Sequence, residues 1–276
     1  MCYAEGMADT SEPIALSVVA AAHNEQDNVA RLVEQIVAAL EPTQLAYEII
    51  IVDDGSTDRT LAMLKELLTR CDRLRVLRMI GTPADRGLGQ SAAFHAGFRA
   101  ACGELIVLLD ADCQNDPADI PAMLQILQSS GADMVQGDRS FDRRDSQLRQ
   151  LSSLVGRLFR RWLLGDTIRD TGCSLRVIRR EVALALPLEF RGMHRFIPLT
   201  ARQLGYNVVE MPVHHRPRTA GTTKYGIRNR AIPGLIDCFA VRWMRNRRRP
   251  VRCEEIESPA SPTISTSTAD REKATT

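Results

Sequence analysis

The stretch Glu104-Leu105-Ile106-Val107-Leu108-Leu109-Asp110-Ala111-Asp112-Cys113-Gln114-Asn115-Asp116-Pro117 decides the fold. Residues 105–109 are apolar without alternation, which suits a central strand covered by helices on both faces. Ile49-Ile50-Ile51-Val52 has the same character. Working outward, short apolar runs alternate with helical patterns: Leu16–Ala22 then 27–40, Glu48–Val52 then 57–70, Leu74–Met79 then 90–101, Leu105–Leu109 then 118–129, and Met134–Gly137. That rhythm predicts βαβ units and an α/β fold with a mostly parallel central sheet. In such sheets a ligand lies beyond the carboxyl ends of the strands. The residues just after each run are therefore the candidates for chemistry.

The second half is less regular. A basic helix is expected at about 147–164, an apolar piece at Ser174–Ile178, helices near 180–186 and 194–204, and a strand at Asn207–Pro212. Residues 1–13 are unpatterned, and 253–276 carry nine Ser or Thr with few large apolar groups, so both ends are expected to be disordered. The organisation is thus 14–226 as one domain, 227–252 as an amphipathic basic helix, and two tails. With 44% apolar and 25% charged residues and a net charge of +2, the chain reads as an ordinary globular protein, and no nucleic-acid partner is expected. Seven scattered cysteines without metal spacing, no signal-peptide pattern and no long apolar span point to a cytoplasmic location, peripheral at the inner face of the plasma membrane if lipid is met.

Acidic groups follow three of the runs. His23 and Glu25 come after the first, and Asp53 with Asp54 after the second, where they could meet a base and ribose hydroxyls. The competing reading makes Asp-Gly-Ser a turn, with Ser56 and Asp58 capping the next helix. Asp110 and Asp112 are the sharpest signal. In extended backbone residues i and i+2 face the same way, so the two carboxylates are expected to converge at the sheet's edge with Gln114 next in line, and two such anions repel unless a cation lies between them. All-oxygen ligands suit Mg²⁺ or Mn²⁺. A solvated turn explains Asp116 as a helix cap before Pro117 but not the carboxylate pair. Gly87-Leu88-Gly89 follows a polar loop rather than a strand, so it is read as opening the helix 90–101 and not as a dinucleotide loop, with Gly97 allowing close packing.

Between 214 and 230, His214, His215, Arg216, Arg218, Lys224, Arg228 and Arg230 occur with no acid, and Gly221 lends freedom, a pattern suited to clamping phosphate or to a merely solvated loop. From 231 to 244, Ile232, Leu235, Ile236, Phe239, Ala240, Trp243 and Met244 recur at helical spacing beside a dense Arg cluster. An anionic membrane surface or a homo-oligomer contact would each suit that stripe.

In order, A-x-N-E, V-D-D-G-S-x-D, G-L-G, D-A-D-x-Q-x-x-P, G-D-R, D-T-G-C-S-L-R and G-T-T-K-Y resemble family 2 glycosyltransferases of GT-A fold, over roughly 14–240, and most of all the dolichyl- or undecaprenyl-phosphate branch. The resemblance implies a Rossmann-like nucleotide-diphospho-sugar transferase fold and a UDP- or GDP-linked sugar donor. It implies that Ala21, His23, Glu25, Val52 and Asp53 line the base and ribose. Asp110, Ala111, Asp112 and Gln114 would hold metal and pyrophosphate, Arg139 would sit near the donor, and Arg216, Arg218 and Lys224 would close over phosphate. His23 stands where the family usually has Tyr. Such an enzyme would invert the anomeric carbon of the sugar as it passes to a lipid phosphate acceptor. A hydroxyl acceptor would need a general base, for which Asp170 is the candidate. The competing readings are a glycosyltransferase for soluble or glycan hydroxyls, a nucleotidyltransferase and a non-catalytic nucleotide-sugar binding protein.

Overall fold

A computed structural model of the chain describes residues 13–83, 86–141, 147–216 and 228–249. The two tails expected to be disordered, and Arg218, Gly221 and Lys224 of the basic loop, lie outside the described residues. Strand β1 (Leu16–Ala22) leads through α1 (Val29–Leu40) to β2 (Tyr47–Asp53), then α2 (Thr60–Leu68), β3 (Leu74–Arg78), α3 (Gln90–Ala100), β4 (Leu105–Asp110), α4 (Ile120–Ser130) and β5 (Met134–Asp138). The second half adds α5 (Gln147–Leu164), β6 (Arg176–Arg179), α6 (Arg180–Ala185), α7 (Ile197–Gln203), β7 (Val208–Pro212) and α8 (Arg228–Arg247). Seven strands pair in the order β3-β2-β1-β4-β6-β5-β7. Among the described residues only β6 runs against its neighbours, β4 and β5, so the sheet is mostly parallel, as expected.

The missing alternation in the strands has a simple cause. Ile49 and Ile51 of β2, with Val107 and Leu109 of β4, pack under α1, α2 and α4. Ile50, Val52, Ile106 and Leu108 point the other way, into a core shared with α3, α6, α7 and α8. Both faces are dry, so each of these positions is apolar. Each such buried side chain contributes roughly 1.5–3 kcal/mol. Gly97 lets α3 lie against β1, since a Cβ there would come within 2.3 Å of Val19 Cγ1. The helix expected at 194–204 is two pieces, a 3₁₀ turn at Met193–Phe196 and then α7, whose first turn contains Pro198. Proline is tolerated in a first turn, where its missing N–H has no partner to lose.

At the amino ends of the strands lies a compact polar cluster. Glu48 Oε1 accepts from the Ser17 hydroxyl (2.6 Å) and Cys102 N (2.7 Å), and its Oε2 pairs with Arg75 (2.5 Å). The carboxyl ends, at the opposite edge, carry the residues singled out in the sequence.

Candidate active site

Three adjacent strands deliver the site. Ala21 pairs with Val52 of β2 and with Asp110 of β4, so the base, ribose and metal candidates stand on neighbouring strand ends. The loops after β1 and β2 are sewn together. Asn24 Oδ1 accepts from Thr57 N (2.7 Å), Asn24 N donates to Ser56 Oγ (2.9 Å), Glu25 N donates to Thr60 Oγ1 (2.8 Å), and His23 Nδ1 meets Asp54 O (2.7 Å). Asp53 is buried, and one of its oxygens accepts from Ser56 N (3.3 Å). Asp58 caps α2, accepting from Thr60 N (2.9 Å). The turn-and-cap reading is therefore met at Asp58, and the same bonds hold the two loops side by side at neighbouring strand ends.

Asp54 has a task that the sequence reading did not assign. Its carboxylate accepts from Leu88 N (2.8 Å) and Gly89 N (2.6 Å), tying the start of α3 to the end of β2. Gly87 has φ +63°, and a Cβ there would fall 2.4 Å from the Asp54 carboxylate. The glycines thus open α3 as expected. The adjacent acid in Asp53-Asp54 was the available signal.

Asp110 is the last residue of β4, and beyond it the backbone turns, with Cys113 at φ +57°. Strand alternation therefore ends at Asp110, and a turn rather than a pleat brings Asp112 beside it. Asp112 Oδ1 accepts from Gln114 N (3.2 Å), and Asp116 caps the following 3₁₀ turn through Ala118 N (3.1 Å). Gln90, the first residue of α3, donates to Asp110. Burial, and then the charge of Asp112, push the Asp110 carboxyl up to about 6, against the opposing pull of Ser174, Arg176 and Arg139. Two crowded carboxylates of this kind suit a divalent cation, which would relieve the repulsion that raises Asp110. Among the described residues no cluster of three acidic, His or Cys ligands forms.

Behind Asp110 lies a buried polar layer. Asp170 accepts from Arg139 Nε (2.8 Å) and Nη2 (3.2 Å), from Arg139 N (3.2 Å) and from Gly172 N (3.0 Å). Burial works against the Arg139 charge, but the bonds to Asp170 more than reverse it and the pKa is raised. Arg176 is lowered to about 10, chiefly by burial, and donates to Gln136 Oε1 (2.7 Å) and Thr171 O (3.0 Å). It therefore keeps its charge near neutral pH. Gln136 in turn donates to Asp170 O (3.1 Å) and Cys173 O (3.1 Å). Gln136 drew no reading from the sequence, and Ser174 and Gln90 were read only as parts of a turn and a helix start, because nothing local marks which polar side chain a distant segment will meet.

The entrance to the basic loop rests on the loop after β4. Arg216 N donates to Gln114 O (2.8 Å), the Arg216 guanidinium pairs with Asp116, and His214 Nδ1 pairs with Asp119 Oδ1 (2.7 Å). The segment holds no acid of its own, and His214 and Arg216 take their partners from the carboxylates that start α4.

Residues 17–186 match the family model described as Glycosyl transferase family 2. An undecaprenyl-phosphate 4-deoxy-4-formamido-L-arabinose transferase of Edwardsiella ictaluri is 37% identical over 213 residues, covering 77% of this chain and 63% of the relative, so the chain spans under two thirds of that protein. A dodecaprenyl-phosphate galacturonate synthase of Rhizobium johnstonii is 35% identical, covering 89% of this chain and 72% of the relative. Among solved structures, a Pyrobaculum calidifontis mannosyltransferase in complex with GDP-Man and Mn²⁺ superposes with a TM-score of 0.61 at 20% identity, covering 87% of this chain and 67% of that one. Mycobacterium tuberculosis glucosyl-3-phosphoglycerate synthase gives a TM-score of 0.60 at 22% identity, covering 81% and 79%. With the motifs, the sheet order and these likenesses in agreement, the chain belongs to glycosyl transferase family 2 and has the GT-A fold.

Proposed function

We propose that the chain transfers a sugar from a UDP- or GDP-linked donor to a polyprenyl phosphate, with inversion at the anomeric carbon. The observation that carries this reading is the crowded Asp110–Asp112 pair at the meeting of three strand ends. His23, Glu25 and Asp53 receive the base and ribose beside Ala21 and Val52. Asp110 and Asp112, with Gln114 adjacent, would hold Mg²⁺ or Mn²⁺, which when bound neutralises charge on the leaving nucleoside diphosphate. Arg139, fixed by Asp170, and Arg176 supply further positive charge next to Asp110. A phosphate acceptor, with a second pKa of about 6, is already largely ionised near neutral pH and needs no strong base. That agrees with Asp170, whose oxygens are committed to Arg139 and backbone N–H groups, so we assign it to positioning Arg139. The polyprenyl-phosphate names of both curated relatives support the acceptor class, and the Mn²⁺ in the mannosyltransferase complex supports the cation.

Purified protein, a panel of radiolabelled nucleotide sugars and a short polyprenyl phosphate test this directly. Label should pass into the organic phase only with divalent metal. Transfer to soluble or glycan hydroxyls would overturn the acceptor, and binding without turnover would overturn catalysis.

The membrane is met through α5 and α8 in this reading. No helix among the described residues is long and apolar enough to cross a bilayer. Instead α8 buries Cys238 and Val241, while Leu235, Ile236, Phe239 and Trp243 remain exposed beside Leu154, Val155, Leu158 and Trp162 of α5. Arg242 and Arg245 donate to the last carbonyls of α5, at Leu163 (2.8 Å) and Leu164 (3.0 Å), joining the two helices into one surface. Apolar area fringed by arginine suits an anionic lipid face. The protein should sediment with anionic vesicles at low salt and be released as salt rises, and Trp162→Ala with Trp243→Ala should weaken this. Indifference to anionic vesicles would return the surface to self-association.

A further inference from the structure

Two distant segments hold the first turn of α3. None of its own side chains caps it. A free first turn frays, because its N–H groups lack helical partners. Asp54 grips it from β2 through Leu88 N and Gly89 N. From the other side, Ser91, buried as the second residue of the helix, accepts a hydrogen bond from His194 N (3.0 Å), and its hydroxyl lies 2.9 Å from His194 Nδ1. His194 is set in the 3₁₀ turn before α7, far along the chain, beside the apolar core of Phe94, Phe98 and Phe196. Burial drives its pKa down to about 3, with Arg195 and Arg176 adding to the shift, so the ring is neutral near pH 7 and Nδ1 can accept from Ser91. A polar pair in such surroundings costs free energy that an apolar pair would not. Between these two grips stands Gln90, whose carboxamide donates to Asp110.

We propose that His194 is a positioning residue for the Asp110 carboxylate: by holding Ser91 it fixes the turn from which Gln90 orients Asp110. The inference rests on Asp110 binding a cation, as argued above. Partners that orient a metal ligand typically alter metal affinity or activity by about ten- to a hundredfold when removed.

The test is Mn²⁺ binding to the full chain in the presence of UDP or GDP, by calorimetry, alongside kcat and donor KM. His194→Leu and Gln90→Ala should each weaken Mn²⁺ by about tenfold. The double variant should be no weaker than the worse single one, since both act on one contact. His194→Asn, which keeps an acceptor near the position of Nδ1, should restore most of the affinity. If His194→Leu does not fold, Ser91→Ala removes that bond together with the one from His194 N and should weaken Mn²⁺ at least as much. Wild-type Mn²⁺ affinity in a folded His194→Leu or Ser91→Ala protein, or losses that multiply in the double variant, would overturn the inference. Wild-type protein that binds no Mn²⁺ would instead overturn the functional reading beneath it.

Discussion

At the amino ends of the strands Glu48 is 1% exposed, and its two oxygens are divided among a hydroxyl, a backbone N–H and Arg75. At the carboxyl ends Asp110 shares its space with a second carboxylate, and burial with that neighbour lifts it to about 6. One sheet therefore ends in a saturated carboxylate on one edge and a crowded one on the other. Saturation stabilises a fold, whereas crowding leaves an interaction for a ligand to complete.

This contrast can be broken by exchanging charge for amide at each edge. Asp112→Asn should lower transfer by roughly a thousandfold, the loss expected when several kcal/mol of transition-state stabilisation disappears. Without metal its unfolding midpoint should hold or rise, because a repulsion has been removed. Glu48→Gln should do the reverse, costing about 3 kcal/mol in denaturant unfolding by leaving Arg75 without its anion, while the folded fraction keeps its donor KM. Equal stability losses at both edges would erase the distinction.

Asp170→Asn sharpens the comparison within the carboxyl edge, since this carboxylate is also saturated. A drop in kcat of about tenfold is expected from a loosened Arg139, with the shape of the pH profile retained. A loss of about a hundred- to ten-thousandfold would restore Asp170 as a base.

The remaining test concerns His194, part-buried near the guanidinium charges of Arg195 and Arg176, with Arg195 in turn facing Asp237 (3.4 Å). Its folded pKa of about 3 lies below the ordinary histidine value, so as pH falls below about 6.5 the unfolded chain takes up the proton first. Stability that is complete above that pH is lost towards pH 3, by up to about 1.4 kcal/mol per pH unit. In denaturant titrations at stepped pH, His194→Asn should flatten that slope. An unchanged slope would mean that the ring is not buried neutral.

Much of this was legible in residues alone. Runs such as Ile49–Val52 and Leu105–Leu109 announce two-faced burial, because a strand with one wet face would have to alternate. The acids after the first, second and fourth strands mark one edge of the sheet as the candidate site, because parallel strands all end on the same side. The antiparallel insertion of β6 was not legible, since a four-residue strand carries no sign of its direction. Asp116, read locally as a helix cap, and Asp119, given no role by its neighbours, became partners of Arg216 and His214 only when residues about a hundred positions apart met.

Sequence by itself determined the layered α/β architecture, the family and the carboxylate pair, all of which follow from local periodicity and adjacent residues. Tertiary structure alone decided that Asp112 reaches Asp110 by a turn at Cys113, that Asp170 is committed to Arg139, and that Gln90 and His194 stand behind the site. The physical reason is range. Hydrophobic period is written within a few residues, but the partner of a buried polar group is chosen by whichever distant segment the packed core brings within about 3 Å.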